Sequence, residues 1–433
     1  MLNSISHRGL PSHTHFAKIN DTISLGHTRL PIQGLYHEFD QPYIYKEWVF
    51  AFVGEIFNYK ELLPWAKSDI ETVAFYFDQM GPDCMELFDG FWSIVAYHKR
   101  SKQLYVCTDV LAKKPVYYYP DNFCFASEMK ALLKVVEPDP DLLYYSSVAK
   151  WGYTPSNRTP FLNIKKMDPA TVIQIDVNSG KEYTYQWTVL RPQSLDIRKA
   201  LELSVKNRLV SDVPISLLLS GGLDSSIIYK LIEQHTHDFT IFHVDNDESE
   251  YLNHLNIPSA IKVQRVRYEQ VSLEKILYYN ECPVDLGSMI PQYLLSQAIA
   301  ERCPDIPVVI TGDGADELFG GYRRQFEYDA QYSDIFEELV YYHLPRLDKM
   351  SMAFTLELRS PFLARNVIEG AMYMPYEDRI NKNGLKRLFE DLIPPAILDR
   401  PKVALKSDPV RNRPSWRHDL IEHFKEETVY EYQ

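Results

Sequence analysis

A chain of 433 residues has room for two or three domains, and 45% hydrophobic with 24% charged residues is the balance of a globular protein with ample core. The formal net charge of −13 excludes general nucleic-acid binding, which needs Lys and Arg facing the phosphates. A nucleotide bound here would have to be met by local amides and a metal. The five scattered cysteines form no C-x-x-C pair, which points to reduced thiols and a cytoplasmic location. The opening MLNSISHRGLPSH lacks a signal-peptide run, and no window nears the roughly eighteen apolar residues of a membrane span, so no membrane partner is expected.

In chain order, Trp48–Val53, Phe91–Tyr97 and Leu104–Thr108 are short apolar or alternating runs that predict strands. Val116–Tyr119 and Asn122–Ala126 predict a hairpin around Pro120-Asp121, while Glu71–Met80 and Ser127–Val136 have helical spacing. This is an α+β pattern of stacked antiparallel sheets. Near residue 190 the pattern changes. Leu195–Leu209 (helix), Ile215–Leu219 (strand), Ser225–His235 (helix), Phe239–Val244 (strand), Pro291–Arg302 (helix) and Ile306–Ile310 (strand) alternate as in a doubly wound parallel α/β sheet. The expected domains are therefore 1–190 and 191–433. Trp92 and Trp151 are expected in the core. His13-Thr14-His15 and His235-Thr236-His237 read as solvated pairs rather than metal ligands, and the acidic end, Glu426 to Gln433, as a frayed terminus.

The segment Leu219-Ser220-Gly221-Gly222-Leu223-Asp224-Ser225-Ser226 lies between a buried-type strand and an amphipathic helix, where an α/β sheet places its ligand. Two glycines let backbone amides approach an anion, and Ser220, Ser225 and Ser226 add hydroxyls beside a helix N-terminus. Asp224 would repel phosphate unless it holds Mg²⁺, a hard cation that takes oxygen ligands. No Lys follows the glycines, so this is not a Walker A loop. The segment resembles the SGGxDS pyrophosphate loop of the N-type ATP pyrophosphatases, which implies cleavage of ATP between the α and β phosphates.

A second loop, Thr311-Gly312-Asp313-Gly314-Ala315-Asp316-Glu317-Leu318-Phe319-Gly320-Gly321-Tyr322, follows the strand ending at Ile310. It is similar to the S/T-G-[ED]-G-x-D-E-x-F-G-G-Y loop of asparagine synthetases. The resemblance implies that Asp316 joins Asp224 on magnesium and that Thr311 and Gly312 lie at the ATP site, as does Val244 at the end of its strand. Asp313 stands where β-lactam-forming relatives carry a catalytic tyrosine, which favours the amide-forming branch. Pro283 to Pro291, Leu347 to Met352, Leu356 to Leu363, Asn383-Gly384-Leu385-Lys386 and Arg400-Pro401-Lys402 resemble further family elements. Lys386 matches the lysine that the family places near the adenylate, where a fixed cation stabilises departing pyrophosphate. After Val244 the wall beside the adenine pocket is shorter than in the family.

The first 130 residues resemble a class II glutamine amidotransferase: His7-Arg8-Gly9, Gly26-His27-Thr28-Arg29-Leu30, Val53-Gly54-Glu55-Ile56-Phe57-Asn58, Ser68-Asp69 and Ser127-Glu128-Met129-Lys130-Ala131 match its motifs. The resemblance implies an Ntn-hydrolase-like fold with a glutamine pocket at Arg29, Gly54, Glu55 and Asp69. It also implies a nucleophilic first cysteine, yet Leu2 follows Met1 here, and Val53 replaces the asparagine that donates to the oxyanion. The pocket is therefore expected to be vestigial. The expected activity is an AMP-forming carbon–nitrogen ligase using ATP and Mg²⁺ on a small carboxylate, with aspartate leading, and ammonia. A specialised amide-forming or cyclising relative, or a non-catalytic nucleotide-binding subunit, are the alternatives. A homodimer is compatible with this reading, and the sequence does not fix the oligomer state.

Overall fold

Strands β1 (Thr14–Lys18) and β2 (Ser24–Thr28) form a two-stranded antiparallel ribbon at the start of the chain. The structure, a computed structural model, describes residues 1–433 apart from 245–248, 267–271, 284–285, 323–324, 326–331, 401–420, 422–423 and 425–433. Parts of four sequence segments singled out above therefore lie outside the described residues: Asp245 to Glu248, Val284-Asp285, Pro401-Lys402 and the acidic end.

Next come β3 (Tyr43–Tyr45), β4 (Trp48–Ile56), β5 (Gly90–His98), β6 (Gln103–Thr108), β7 (Tyr117–Tyr119), β8 (Cys124–Ala126), β9 (Lys165–Lys166), β10 (Thr171–Asp176) and β11 (Lys181–Gln186). One six-stranded antiparallel sheet has the order β11-β10-β6-β5-β4-β3, and a smaller one the order β8-β7-β9. The helix Asp69–Met80 starts where Ser68 and Glu71 make a reciprocal capping box. Its buried face (Ile70, Val73, Ala74 and Phe77) covers the six-stranded sheet, with Phe77 edge-on to both Trp48 and Phe50.

The second half alternates helix and strand around one parallel sheet. Strands β12 (Ile215–Leu218), β13 (Thr240–Val244), β14 (Lys262–Val266), β15 (Val308–Ile310) and β16 (Glu357–Arg359) lie in the order β14-β13-β12-β15-β16. The chain steps outward from β12 through β13 to β14, then returns to the other side of β12 as β15. The switch point, where ligands bind in such sheets, lies between β12 and β15. Ile215, Leu217, Ile241, Val308, Val309 and Ile310 are all buried in the large core around this sheet.

Three expectations change. Ser127–Val136 is helical only over Met129–Leu132, because Glu281 from the second half accepts the amides of Met129 (3.1 Å) and Lys130 (2.6 Å) and fixes a short turn. The helix expected from Pro291 begins at Leu286, with Pro291 inside it. Trp151 ends the helix Leu142–Trp151 on the surface, 60% exposed under the Lys150 ammonium, whereas Trp92 is buried as expected. Apolar neighbours in sequence did not make a core position, since Tyr144, Tyr145 and Val148 supply that helix's buried face.

The two halves are joined through buried charge. Arg8 donates to Glu128 (2.8 Å) and to Asp348 (2.8 Å), and Lys114 donates to the other oxygen of Asp348 (2.9 Å). Lys130 pairs with Glu128 and Glu281, and Lys349 with Glu281 (2.8 Å). Arg359 lies 3.4 Å from Glu55 and donates to Glu357 at 2.8 Å. No helix among the described residues is long and apolar enough to cross a membrane.

Candidate active site at the ends of the parallel strands

The loop after β12 is shaped by its own small residues. Gly221 takes a φ of +75°, which a side-chain-bearing residue rarely adopts, and the chain then enters the helix Leu223–Glu233 at Gly222. Ser220 and Ser225 hydroxyls are 3.0 Å apart, the Ser220 amide donates to Ser225 Oγ (3.2 Å), and the Gly222 amide donates to Ser220 Oγ (3.2 Å). Leu219 is buried, and its carbonyl meets Nδ1 of the buried His243 on β13 at 2.7 Å. Val244, half-buried, ends β13 on the same side of the sheet. Ser226 does not reach the surface of the loop: it is fully buried, and its Oγ has no hydrogen-bond partner.

The loop after β15 comes against this one. A Cβ added at Gly312 would stand 3.1 Å from the Cβ of Asp224 and 3.1 Å from the Ser225 amide nitrogen, so the close approach of the two loops favours glycine. Thr311 is buried, its amide donating to the Arg359 carbonyl (2.9 Å) and its hydroxyl 3.3 Å from that of Ser360. Asp313 is half-buried in the turn between Gly312 and Gly314. The short helix Ala315–Leu318 then presents Asp316.

Asp224 and Asp316 meet as expected, across a cation that was not. Lys382 Nζ is 2.5 Å from Asp224 Oδ2 and 2.5 Å from Asp316 Oδ1. Burial alone would lower the Lys382 pKa, but the two carboxylates hold the ammonium well above its ordinary value and keep it charged. Lys386 follows in the helix Asn383–Leu388, half-buried and without an ion pair among the described residues. The two lysines lie four apart in sequence, but Lys382 stands outside the helix that carries Lys386. What selects Lys382 is its left-handed backbone (φ +59°) ahead of the helix, which no residue type signals. Gly321, part of the second loop motif, also has a role that the motif does not spell out. A Cβ there would lie 2.0 Å from Asp316 Oδ1 and 2.6 Å from Lys382 Cε, so this glycine leaves the room in which the triad assembles.

The donor set suits a hard divalent cation. Two ionisable carboxylates already converge on one positive charge beside a glycine loop at a helix N-terminus, a setting that suits Mg²⁺ between protein and phosphate oxygens.

A second cavity, of 550 Å³, lies in the first half and is lined by Arg29, Gly54, Glu55 and Asp69 together. The four residues expected in a glutamine pocket thus line one cavity, but their hydrogen bonds are largely internal. Arg29 donates to the carbonyls of Tyr36 (3.2 Å), Gln33 (2.8 Å) and Gly34 (2.5 Å) and lies 3.3 Å from Asp40. Glu55 receives the Gln33 amide and faces Arg359 across the junction of the halves; burial pushes its carboxyl well above the usual range. Asp69 accepts from the Ile56 amide (3.1 Å) and from Ser68 (3.3 Å), and burial pushes it up to about 6. Gly54 has a φ of +126° against Phe91, and Val53 offers the pocket no donor.

Comparison with known proteins agrees with both halves. A glutamine amidotransferase domain family matches residues 1–187, and an asparagine synthase family matches residues 196–333 and 327–429. A putative glutamine-hydrolyzing asparagine synthetase of Methanocaldococcus jannaschii is 29% identical, over 74% of this chain and 72% of the relative. Glutamine-hydrolyzing asparagine synthetase 1 of Arabidopsis thaliana is 28% identical (86% of this chain, 67% of the relative), and asparagine synthetase B of Escherichia coli 26% (88% and 74%).

Proposed function

The chain belongs to the asparagine synthase family, and we propose that this ATP-dependent, amide-forming ligase adenylates aspartate and passes the acyl group to ammonia. The observation that carries the adenylation is the meeting of Asp224, Asp316 and Lys382 at the switch point of the parallel sheet, beside Ser220 to Gly222. Asp224 and Asp316 would hold Mg²⁺, which supplies charge neutralisation for the triphosphate. The amides and hydroxyls of Ser220, Gly221, Gly222 and Ser225 would bind the departing pyrophosphate at the N-terminus of the helix Leu223–Glu233. Lys382 is the fixed cation at the reacting phosphate. Its two aspartates keep it charged against burial, so a protonated ammonium is at hand for the phosphoryl oxygens.

Ammonia, rather than glutamine, as nitrogen source is supported by the first half. Val53 has no donor for an oxyanion, and the Arg29 guanidinium is already taken up by three carbonyls of its own loop. The test is product analysis with ATP, Mg²⁺ and a panel of carboxylates. AMP and pyrophosphate in equal amounts, dependent on aspartate, are expected. ADP as the sole nucleotide product would remove the adenylation reading, and turnover with a different carboxylate alone would move the substrate elsewhere.

A further inference from the structure

The fold gathers three imidazoles onto one carboxylate well away from the phosphate loops. His13 Nδ1 is 2.7 Å from Asp40 Oδ1, His37 Nδ1 is 2.8 Å from Asp40 Oδ2, and His15 Nε2 is 2.9 Å from the same Oδ2. His13 and His15 reach it from the same side of the chain as it enters β1, two residues apart, while His37 and Asp40 come from the short turn His37–Phe39 and its end. One ligand atom each from His13, His37 and Asp40 lies within 4.8 Å of the other two, and no other group of three such residues is this close among the described residues.

We propose that His13, His37 and Asp40 form a binding site for a first-row transition-metal dication, Zn²⁺ above all. Two nitrogens and a carboxylate oxygen are the mixed donor set that zinc accepts in a three-ligand site with one position left to solvent. The site differs in kind from the Asp224–Asp316 pair, whose oxygen-only donors suit a hard cation.

Two features favour ligation over a simple hydrogen-bonded cluster. The His13 and His37 rings stack with centroids 4.3 Å apart and planes 17° from parallel. The stack holds the two rings side by side, so that their nitrogens converge on one point. Both rings also turn the same nitrogen, Nδ1, towards the two oxygens of one carboxylate. On metal binding each Nδ1 gives up its hydrogen-bonded proton, and a neutral ring regains one at Nε2, so no co-reactant is needed. Arg29 faces the same carboxylate at 3.3 Å, its longest contact there. Its other donors are held by the carbonyls of Gln33, Gly34 and Tyr36, so it can keep its place as an outer partner when a metal binds. A metal here would clip the start of β1 to the turn that shapes the Arg29 side of the 550 Å³ cavity.

The experiment uses the full-length chain, stripped with chelator and titrated with Zn²⁺ and with Co²⁺ in excess Mg²⁺, which keeps oxygen-only sites filled. Wild type is expected to bind one equivalent, with the intense visible absorption of nitrogen-ligated tetrahedral Co²⁺. His37→Ala removes a side chain that is 68% exposed and should leave the fold intact, yet weaken binding by about 100-fold or more and abolish the visible band. Asp40→Asn should do the same. Equal stoichiometry and an equal spectrum in wild type and both variants would overturn the proposal, as would no binding by wild type.

Discussion

The phosphate loops and the 550 Å³ cavity are both built from family motifs, yet they use their polar groups in opposite ways. At the ends of β12 and β15 the side chains point their charge towards each other and the loop: two carboxylates share one lysine, and glycines at 221, 312 and 321 keep the space open. In the first half, Arg29, Glu55 and Asp69 spend their hydrogen bonds on their own loops and on the other half of the chain. A motif that survives in sequence can thus serve a ligand in one place and the scaffold in another. Which it does is decided by where its donors and acceptors are already engaged.

The sharpest way to break that comparison is at the two aspartates. Asp224→Ala and Asp316→Ala are each expected to cut pyrophosphate exchange by about 10³-fold or more, with thermal stability little changed, since either loss leaves phosphate charge unneutralised. The double variant should be scarcely worse than the singles, as for groups acting as a unit. Near-wild-type exchange in either single variant would place the metal elsewhere.

The two lysines give the next largest contrast. Lys382→Ala should reduce the adenylation rate by about 10²–10³-fold with little change in the KM for aspartate, whereas Lys386→Ala should stay within a few-fold of wild type. The reverse order of effects would return the role to Lys386.

A third measurement addresses the cavity. With glutamine as the only nitrogen source, no glutamate should be released, while activity with ammonium should follow the concentration of unprotonated NH₃. Rates taken at several pH values and ammonium concentrations are expected to fall on one curve when plotted against NH₃. Glutamate release matching pyrophosphate release would show that the first half is a working glutaminase.

The smallest effect concerns stability. Asp69 is raised to about 6, so the unfolded chain loses this proton at lower pH than the folded one. Its contribution to stability is therefore complete below pH about 4, declines as pH rises towards about 6, and stays low above that. Asp69→Asn keeps an acceptor for the Ile56 amide and should raise the urea-unfolding free energy at pH 7 by roughly 2–3 kcal/mol, with almost no change at pH 4. Equal shifts at both pH values would show that burial does not hold this carboxyl protonated.

Much of the catalytic half was legible because its signals are local. A strand, a Gly-Gly turn and a helix in succession located Asp224, and the second loop located Asp316 by the same logic. Lys382 was not legible, since its selection over Lys386 depends on two consecutive left-handed residues, Asn381 and Lys382. The His13–His37–Asp40 cluster was not legible either: His37 and Asp40 lie some way along the chain from His13, and only the turn at His37–Phe39 closes the gap. Trp151 failed for a related reason, because hydrophobic neighbours in sequence say nothing about which face of a helix finds a partner.

The buried ladder of Arg8, Glu128, Lys130, Glu281, Lys349, Asp348 and Lys114 bears on how such a chain can evolve. Three of its links cross between the halves (Arg8–Asp348, Lys114–Asp348 and Lys130–Glu281), so deleting the first half would take both of these cations from Asp348, while Glu281 keeps Lys349. Such an orphaned charge costs about 3–5 kcal/mol, a large share of the stability of an ordinary domain. Gene fission between the halves would therefore carry that cost unless Asp348 were first replaced. The amidotransferase-like half is inherited with the synthetase half whether or not it handles glutamine.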